Sequence, residues 1–342
     1  MSGPRPLRAG VIGLGMMGRN HVRVWDELQG VELVAVADPD PVAVESGTHR
    51  RRARGCEDAE RMLAEEELDL VSIVAPTSLH LPLTLAALRA GASVLVEKPI
   101  AATREEATEM IAAAAAAGRL LTVGHIERFN PAILELRRRL ADGELGRIFQ
   151  ISAQRLGPFP ARIRDVGVVV DLAPHDLDVM RFLIGSEPVR IYAETERRIH
   201  TDHEDLFHGV MKFANGVVGV LDINWLTPTK RRTLTVTGER GMYVADYIAQ
   251  DLVFYANPEA EGTWENRGVT SVAEGEMTRR SIQRQEPLRV ELAAFADAVR
   301  NGGPPPVEPH DAMVALLLAR KMVESGLSGQ VIAGPALEEV LS

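Results

Sequence analysis

Lys98 closes an apolar run, "ASVLVEKPI" at residues 92–100, and is joined directly to Pro99, so an amine stands where a buried strand should end. Proline fixes its own φ and biases the preceding residue towards an extended conformation, which aims the lysine; a cis bond between the two is left open. On position alone, a solvated lysine paired with Glu97 accounts for the residue equally well. A second group is Asp171 and His175, four apart in "DVGVVVDLAPHDLDVMRFLIG" at a loop-to-helix junction, followed by apolar Val179, Phe182 and Leu183. That spacing lets the carboxylate orient the imidazole or stabilise its charge, as in acid/base pairs. A helix N-terminus there disfavours imidazolium and leaves His175 able to accept a proton. Taken alone, a capping aspartate with a structural histidine is the simpler account.

The third group is "VIGLGMMG", in which Gly13, Gly15 and Gly18 have GxGxxG spacing between an apolar strand and a helix whose apolar face continues through Val22, Trp25 and Leu28. The glycines permit a tight turn and close approach to a pyrophosphate, with Met16 and Met17 in the same turn and the helix N-terminus supplying amide donors. Asp38, twenty residues beyond Gly18, ends the next strand, and no arginine follows in "ADPDP". An acid there accepts the ribose hydroxyls of adenosine and repels a 2′-phosphate, so the expected cofactor is NAD, with NADP disfavoured. FAD suits the same glycine spacing but belongs with longer, differently interrupted chains. "APTSLH" at 75–80 ends a further strand, putting Pro76, Thr77 and His80 at the carboxyl edge of the sheet with Glu97 and Lys98, on the side where a nicotinamide would lie. For His80 and for His21, each taken alone, a surface or capping histidine near a helix start is the simpler account.

These residues need elements to carry them. Apolar runs at 31–37, 68–75, 92–96 and 120–123 alternate with helices at 79–90 and 103–117, which end at Gly91 and Gly118. Thr103 and Glu106 have capping-box spacing, so the alanine tract at 112–117 reads as helix. From about residue 125 strands follow one another at 147–154, 189–195, 206–213, 217–225, 233–237, 242–246 and 252–255, with a hairpin signal in "ANG" at 214–216. The expected fold is α/β: a Rossmann dinucleotide-binding domain over residues 1–124, then an α+β domain over 125–342 with a mostly antiparallel open-faced sheet for substrate binding and oligomerisation. The polar stretch 257–285 reads as a long, mobile excursion, and helices near 288–300 and 310–325 close the chain. No internal repeat is visible.

Composition narrows the function classes. With 342 residues, 46% hydrophobic and 25% charged, the chain is long enough for two cores. A formal net charge of −10 argues against general affinity for nucleic acid or anionic membranes. Cys56 is the single cysteine, so neither an internal disulfide nor a cysteine cluster for metal is expected, and no metal site is assigned. No segment reads as a signal peptide or a membrane span, which leads us to expect a cytoplasmic protein.

"GLGMMGRNH" at 13–21, Asp38, "EKP" at 97–99, "DLAPHDLD" at 171–178 and "EPLRVELAAFADAV" at 286–299 together resemble the Gfo/Idh/MocA oxidoreductases, named for glucose-fructose oxidoreductase and inositol dehydrogenase. The resemblance spans nearly the whole chain. It implies a Rossmann domain, an open-faced sheet that commonly mediates homodimers or homotetramers, and oxidation of a secondary hydroxyl on a sugar or polyol. By matching motif, Lys98 corresponds to the family's catalytic lysine, Asp171 to its catalytic-site aspartate and His175 to its general base or acid. Many members carry glycine two residues after the aspartate, where this chain has Ala173 and then Pro174.

"GHIERFNP" at 124–131 resembles, more narrowly, the subgroup acting on UDP-N-acetylglucosamine at the 3-hydroxyl. His125, Glu127, Arg128 and Asn130 have groups to hydrogen-bond a sugar, although Asn130 with Pro131 also makes an ordinary helix start. A diphosphate needs cations, and Arg155, Arg162 and Arg164 precede Asp171; solvated loop arginines are the plain alternative. The expected function is NAD-dependent hydride transfer to or from a sugar hydroxyl, with a nucleotide sugar as leading substrate. A free polyol or monosaccharide, and a non-catalytic NAD-binding sensor, stand as alternatives.

Overall fold

The protein is described here by a computed structural model covering residues 5–160, 166–199, 202–257 and 275–341. In the first part of the chain, short runs without polar alternation form strands buried on both faces, joined by helices. The order is β1 (Leu7–Ile12), α1 (Met16–Glu27), β2 (Val31–Ala37), α2 (Pro41–Thr48), β3 (Arg54–Cys56), α3 (Ala59–Glu65), β4 (Leu70–Ile73), α4 (His80–Arg89), β5 (Ser93–Glu97), α5 (Arg104–Ala117) and β6 (Leu121–Gly124). The six strands make one parallel sheet in the order β3-β2-β1-β4-β5-β6. Thr103 caps α5 by accepting from the Glu106 N–H, and Gly118 ends the helix in the left-handed region, as the sequence signals predict; the Glu106 carboxylate reaches one residue beyond the N-cap, to the Ala102 N–H.

The chain continues with α6 (Pro131–Ala141), β7 (Ile148–Pro158), α7 (Val168–Ile184), β8 (Pro188–Glu196), β9 (Leu206–Phe213), β10 (Val218–Asn224), β11 (Leu226–Gly238), β12 (Gly241–Asp246), β13 (Asp251–Ala256) and β14 (Met277–Arg280). It ends with α8 (Pro287–Asn301), α9 (Pro309–Ser328), β15 (Ile332–Ala333) and α10 (Pro335–Leu341). Among the described residues nine strands form the second sheet, β14-β13-β12-β11-β7-β10-β9-β8-β15, antiparallel except where β10 runs parallel to β7. Alternation is clean: Ile151, Ala153, Leu221, Ile223, Leu234 and Val236 are buried, whereas Val210, Tyr255 and Met277 on the opposite face stay exposed. The "ANG" signal is the β9–β10 hairpin, with Gly216 at φ +92°.

Two expectations change here. Part of the predicted excursion is ordered sheet, since Met277–Arg280 pairs with β13 as β14; residues 258–274 lie outside the described residues. The chain also divides into two compact units, Met1–Phe129 with Glu286–Leu316 and Asn130–Gln285 with Leu317–Ser342, in place of a single cut at 124/125. The cause is apolar. Leu288, Leu292 and Phe295 on α8 join Trp25, Val22, Leu14 and Val36 in one core, and each fully buried side chain of this size stabilises by about 1.5–3 kcal/mol. Thr122 on β6 pins the same segment, donating to the Val307 carbonyl and accepting from its N–H.

On α6, the Arg138 guanidinium, helped by Arg139 and opposed by burial, holds the Glu135 carboxyl down to about 2 from its ordinary 4.5. A carboxyl depressed on folding adds stability at pH values above its unfolded pKa, and that stability is lost as pH falls from 4.5 towards 2. Glu135→Gln should therefore flatten the acid limb of the thermal-stability curve in this window and leave its slope near neutrality unchanged. Melting curves from pH 7 to pH 2 that run parallel for both proteins would refute this.

Candidate active site

The glycine turn between β1 and α1 is fixed by sterics. Gly13 has φ +91°, and a Cβ on it would stand 2.5 Å from the Val74 carbonyl oxygen; a Cβ on Gly18 would stand 1.9 Å from the Gly13 oxygen. Gly15 differs, since nothing lies within 4 Å of its Cβ position. It is also the N-cap of α1, whose first amides receive no side-chain cap, so donors there remain available to an anion. A cavity of about 580 Å³ opens beside this turn, lined by Gly13, Gly15, Asp38, Pro76 and the apolar Ile12, Val74, Leu79 and Leu83. That volume lies in the range of small-ligand sites. Asp38 is held by two backbone donors, Leu14 N–H to Oδ2 at 2.6 Å and Asp40 N–H to Oδ1 at 2.9 Å. Each carboxylate oxygen keeps a second acceptor site for a hydroxyl. Uncapped amides, an open Gly15 and an oriented acid fit a nicotinamide dinucleotide.

The other expected cofactor contacts divide. Met16 is exposed at the start of α1, whereas Met17 packs against the apolar core, so its side chain is not turned to the cavity. Thr77 begins a 3-10 turn, Thr77–Leu79, directly after Pro76. His80 is neither a surface nor a cofactor-facing residue: it is 1% exposed, with Nδ1 2.9 Å from the Pro99 carbonyl and Nε2 2.9 Å from that of Ala75. Glu97 is the last residue of β5 and Lys98 follows it, and the Lys98–Pro99 peptide is cis. Glu97 Oε1 meets His21 Nε2 at 3.1 Å, and Oε2 accepts the Lys98 N–H at 3.1 Å. Burial pushes the Glu97 carboxyl up, but the His21 hydrogen bond, together with the Lys98 N–H and charge, holds it below its ordinary value.

Asp171 and His175 both lie on α7, one turn apart on one face. This helix begins earlier than expected, at Val168, because Glu204 caps it: its carbonyl accepts the Val168 N–H and its carboxylate the Val169 N–H. Asp171 is thus in the first turn and His175 two turns in, beyond the reach of the N-terminal dipole that was expected to keep the imidazole neutral. Pro174 sits inside the helix and removes the N–H that would close the turn onto Val170.

The predicted substrate residues are mostly engaged elsewhere. Arg155, on β7, is 2% exposed and forms a two-pronged pair with Asp176, Nε to Oδ2 at 2.7 Å and Nη2 to Oδ1 at 3.0 Å. This pair fixes the cation against α7. Arg128 is buried and pairs with Asp311 at 3.0 Å, and His125 is buried at the end of β6. Asn130 is the helix cap of the plain reading, its Oδ1 taking the Ala132 N–H and its Nδ2 donating to the Tyr247 carbonyl. Arg162 and Arg164 lie outside the described residues. Inspection of the sequence missed Glu57, a second carboxylate lining the cavity, because the three-residue β3 that delivers it is too short for a pattern. It also missed the burial of His21, although His21 stands four residues before Trp25 on the same helix stripe.

Residues 7–125 match the oxidoreductase family with an NAD-binding Rossmann fold, GFO_IDH_MocA, and residues 133–244 match the GFO/IDH/MocA C-terminal domain. UDP-N-acetylglucosamine 3-dehydrogenase of Acidithiobacillus ferrooxidans is 30% identical over 293 residues, which cover 86% of this chain and 88% of that one. A solved structure of that enzyme superimposes with a TM-score of 0.83 at 28% identity, covering 94% of this chain and 98% of the other. Inositol 2-dehydrogenase 2 of Saccharopolyspora erythraea is 33% identical over 224 residues, covering 64% of this chain and 66% of that one.

Proposed function

The chain belongs to the Gfo/Idh/MocA oxidoreductase family, and from that premise we propose that it is an NAD-dependent dehydrogenase of a nucleotide sugar, acting on UDP-N-acetylglucosamine at the 3-hydroxyl. The observation that carries this reading is the similarity to the Acidithiobacillus enzyme along nearly the full length of both chains. When bound, the nicotinamide supplies the hydride acceptor. The chain's own residues then manage the proton and the charge left on oxygen. His175 takes the hydroxyl proton, the Lys98 ammonium hydrogen-bonds the oxygen as it becomes an alkoxide, and Asp171 holds the imidazole or shares in substrate binding. In the reverse direction the same groups return the proton. Asp38 favours NAD over NADP, and the open sheet face bearing Val210, Tyr255 and Met277 serves assembly into a homodimer or homotetramer.

A free polyol is the second reading, favoured by the inositol dehydrogenase relative and by the pairing of Arg155 with Asp176, which engages one of the expected diphosphate partners. NADH absorbance, followed over a panel of UDP-sugars, inositols and aldoses, separates the two. A response to UDP-N-acetylglucosamine alone is expected; one to inositol alone selects the polyol, and none at all with NAD still bound marks a sensor.

Gly15→Ala tests the cofactor site. Its Cβ meets nothing within the protein, so the melting temperature should hold, while the methyl obstructs approach of the pyrophosphate. NAD affinity should fall about tenfold or more, equivalent to roughly 1.4 kcal/mol. Unchanged binding by calorimetry would remove the glycine turn from the cofactor site.

A further inference from the structure

We propose that two buried histidines, His21 and His80, are positioning residues that hold Lys98 from either side of its peptide, an inference that rests on the catalytic role of Lys98 proposed above. The segment around Lys98 has no regular structure of its own, because β5 ends at Glu97 and α5 begins only at Arg104. A side chain on such a turn is aimed only as well as its backbone is held. On the near side, Glu97 accepts the Lys98 N–H through one oxygen and meets His21 Nε2 through the other. His21 is fully buried, and its Nδ1 has no hydrogen-bond partner. The proton therefore sits on Nε2, facing the carboxylate. On the far side, His80 Nδ1 lies 2.9 Å from the Pro99 carbonyl and 3.3 Å from that of Ile100, and its Nε2 reaches back to Ala75.

Neither ring is accounted for by packing. An apolar side chain would fill either position without burying ring nitrogens that must find partners. The carboxylate between His21 and Lys98 also has dedicated space: a Cβ on Gly124 would stand 3.0 Å from its atoms, so β6 gives way at this point. His21, through Glu97, ties the Lys98 peptide to α1, and the His80 ring, which when neutral donates from one nitrogen only, lies between the Pro99 and Ala75 carbonyls; Gly13 and Gly15 just before α1, and Ala75 and Pro76 just after β4, line the cofactor cavity. The lysine is thereby referenced to the cavity by hydrogen bonds.

Full-length variants test this, using NAD and whichever sugar of the panel is turned over. His21→Leu and His80→Leu should each lower kcat about tenfold or more, since misplacing a reacting group by about 1 Å costs up to roughly a hundredfold. KM and the NAD dissociation constant should change by less than about threefold, and the amides of residues 97–102 should exchange faster in the ligand-free protein. His21→Gln, which keeps a donor for Glu97, should recover most of kcat. In a Lys98→Met background the leucine substitutions should leave the residual rate unchanged, because no amine remains to be aimed. If a leucine variant does not fold, Glu97→Gln carries the same comparison. Unchanged kcat, or losses that persist in full in the Lys98→Met background, would overturn the proposal. Wild-type turnover in Lys98→Met would instead defeat the catalytic reading of Lys98, leaving amide exchange to decide whether the histidines hold the turn.

Discussion

Lys98→Met should lower turnover about a thousandfold while NAD binds within a few-fold of its original affinity. Methionine keeps most of the unbranched stem and removes the ammonium, so packing near Pro99 changes little and the lost interaction is electrostatic. Removing one donor to a developing oxyanion costs about 10²–10³ in rate, and on the proposed mechanism the lysine is that donor, as a full charge in place of a neutral dipole. Ground-state binding does not involve that charge to the same degree, so the loss should appear in kcat more than in KM. His175→Ala should fall in the same range, and the double variant should be less impaired than the product of the two, as for groups acting on one transition state. Initial rates beside NAD titration by tryptophan fluorescence provide the measurement. Turnover of the lysine variant within about fivefold of wild type would be incompatible with the role assigned to it.

The largest stability effect is expected at Asp176. Its carboxylate and the Arg155 guanidinium are both almost wholly buried, and truncating one partner breaks a buried charge pair, which costs about 3–5 kcal/mol. With roughly 2–4 °C per kcal/mol for domains of this size, Asp176→Ala should melt about 6–20 °C lower than wild type. Replacing both residues, Arg155→Met with Asp176→Leu, should cost less than Asp176→Ala alone, because no charge is then stranded. The same variants check the structural assignment of Arg155. Were it a diphosphate ligand, Arg155→Met would raise KM for UDP-sugars selectively and leave the melting temperature near wild type. Thermal melts beside KM values for a UDP-sugar and a free polyol separate the outcomes.

Much of the fold is readable from residue order because parallel strands covered on both faces are nearly continuous apolar runs, and the glycine and capping signals of α5 are local. The glycine turn is local as well: Gly13 and Gly18 are required by close backbone approaches that spacing encodes, and Asp38 follows the end of β2. What stayed hidden depends on contacts between distant segments. Arg155 and Asp176 are twenty-one residues apart, on a strand and a helix, and neither periodicity nor spacing reveals that they pair. Arg128 likewise meets Asp311 only after folding. Helices α2 and α3 have 8 and 7 residues, too few for a full amphipathic pattern, and their best signals are the caps Asp40 and Asp58. The core face of α8 is evident as a stripe, but a stripe does not say which core it will fill.

That last point bears on how the molecule is made. The core around Trp25 is completed by Leu288, Leu292 and Phe295, and a ribosome must deliver residues 130–285 before these emerge. At roughly 5–20 residues per second, the nascent glycine-turn unit waits on the order of ten seconds with part of its apolar surface uncovered. Chaperone capture is therefore expected on chains stalled before residue 286 and released once α8 is out, while the second unit waits longer still, for Leu317–Ser342.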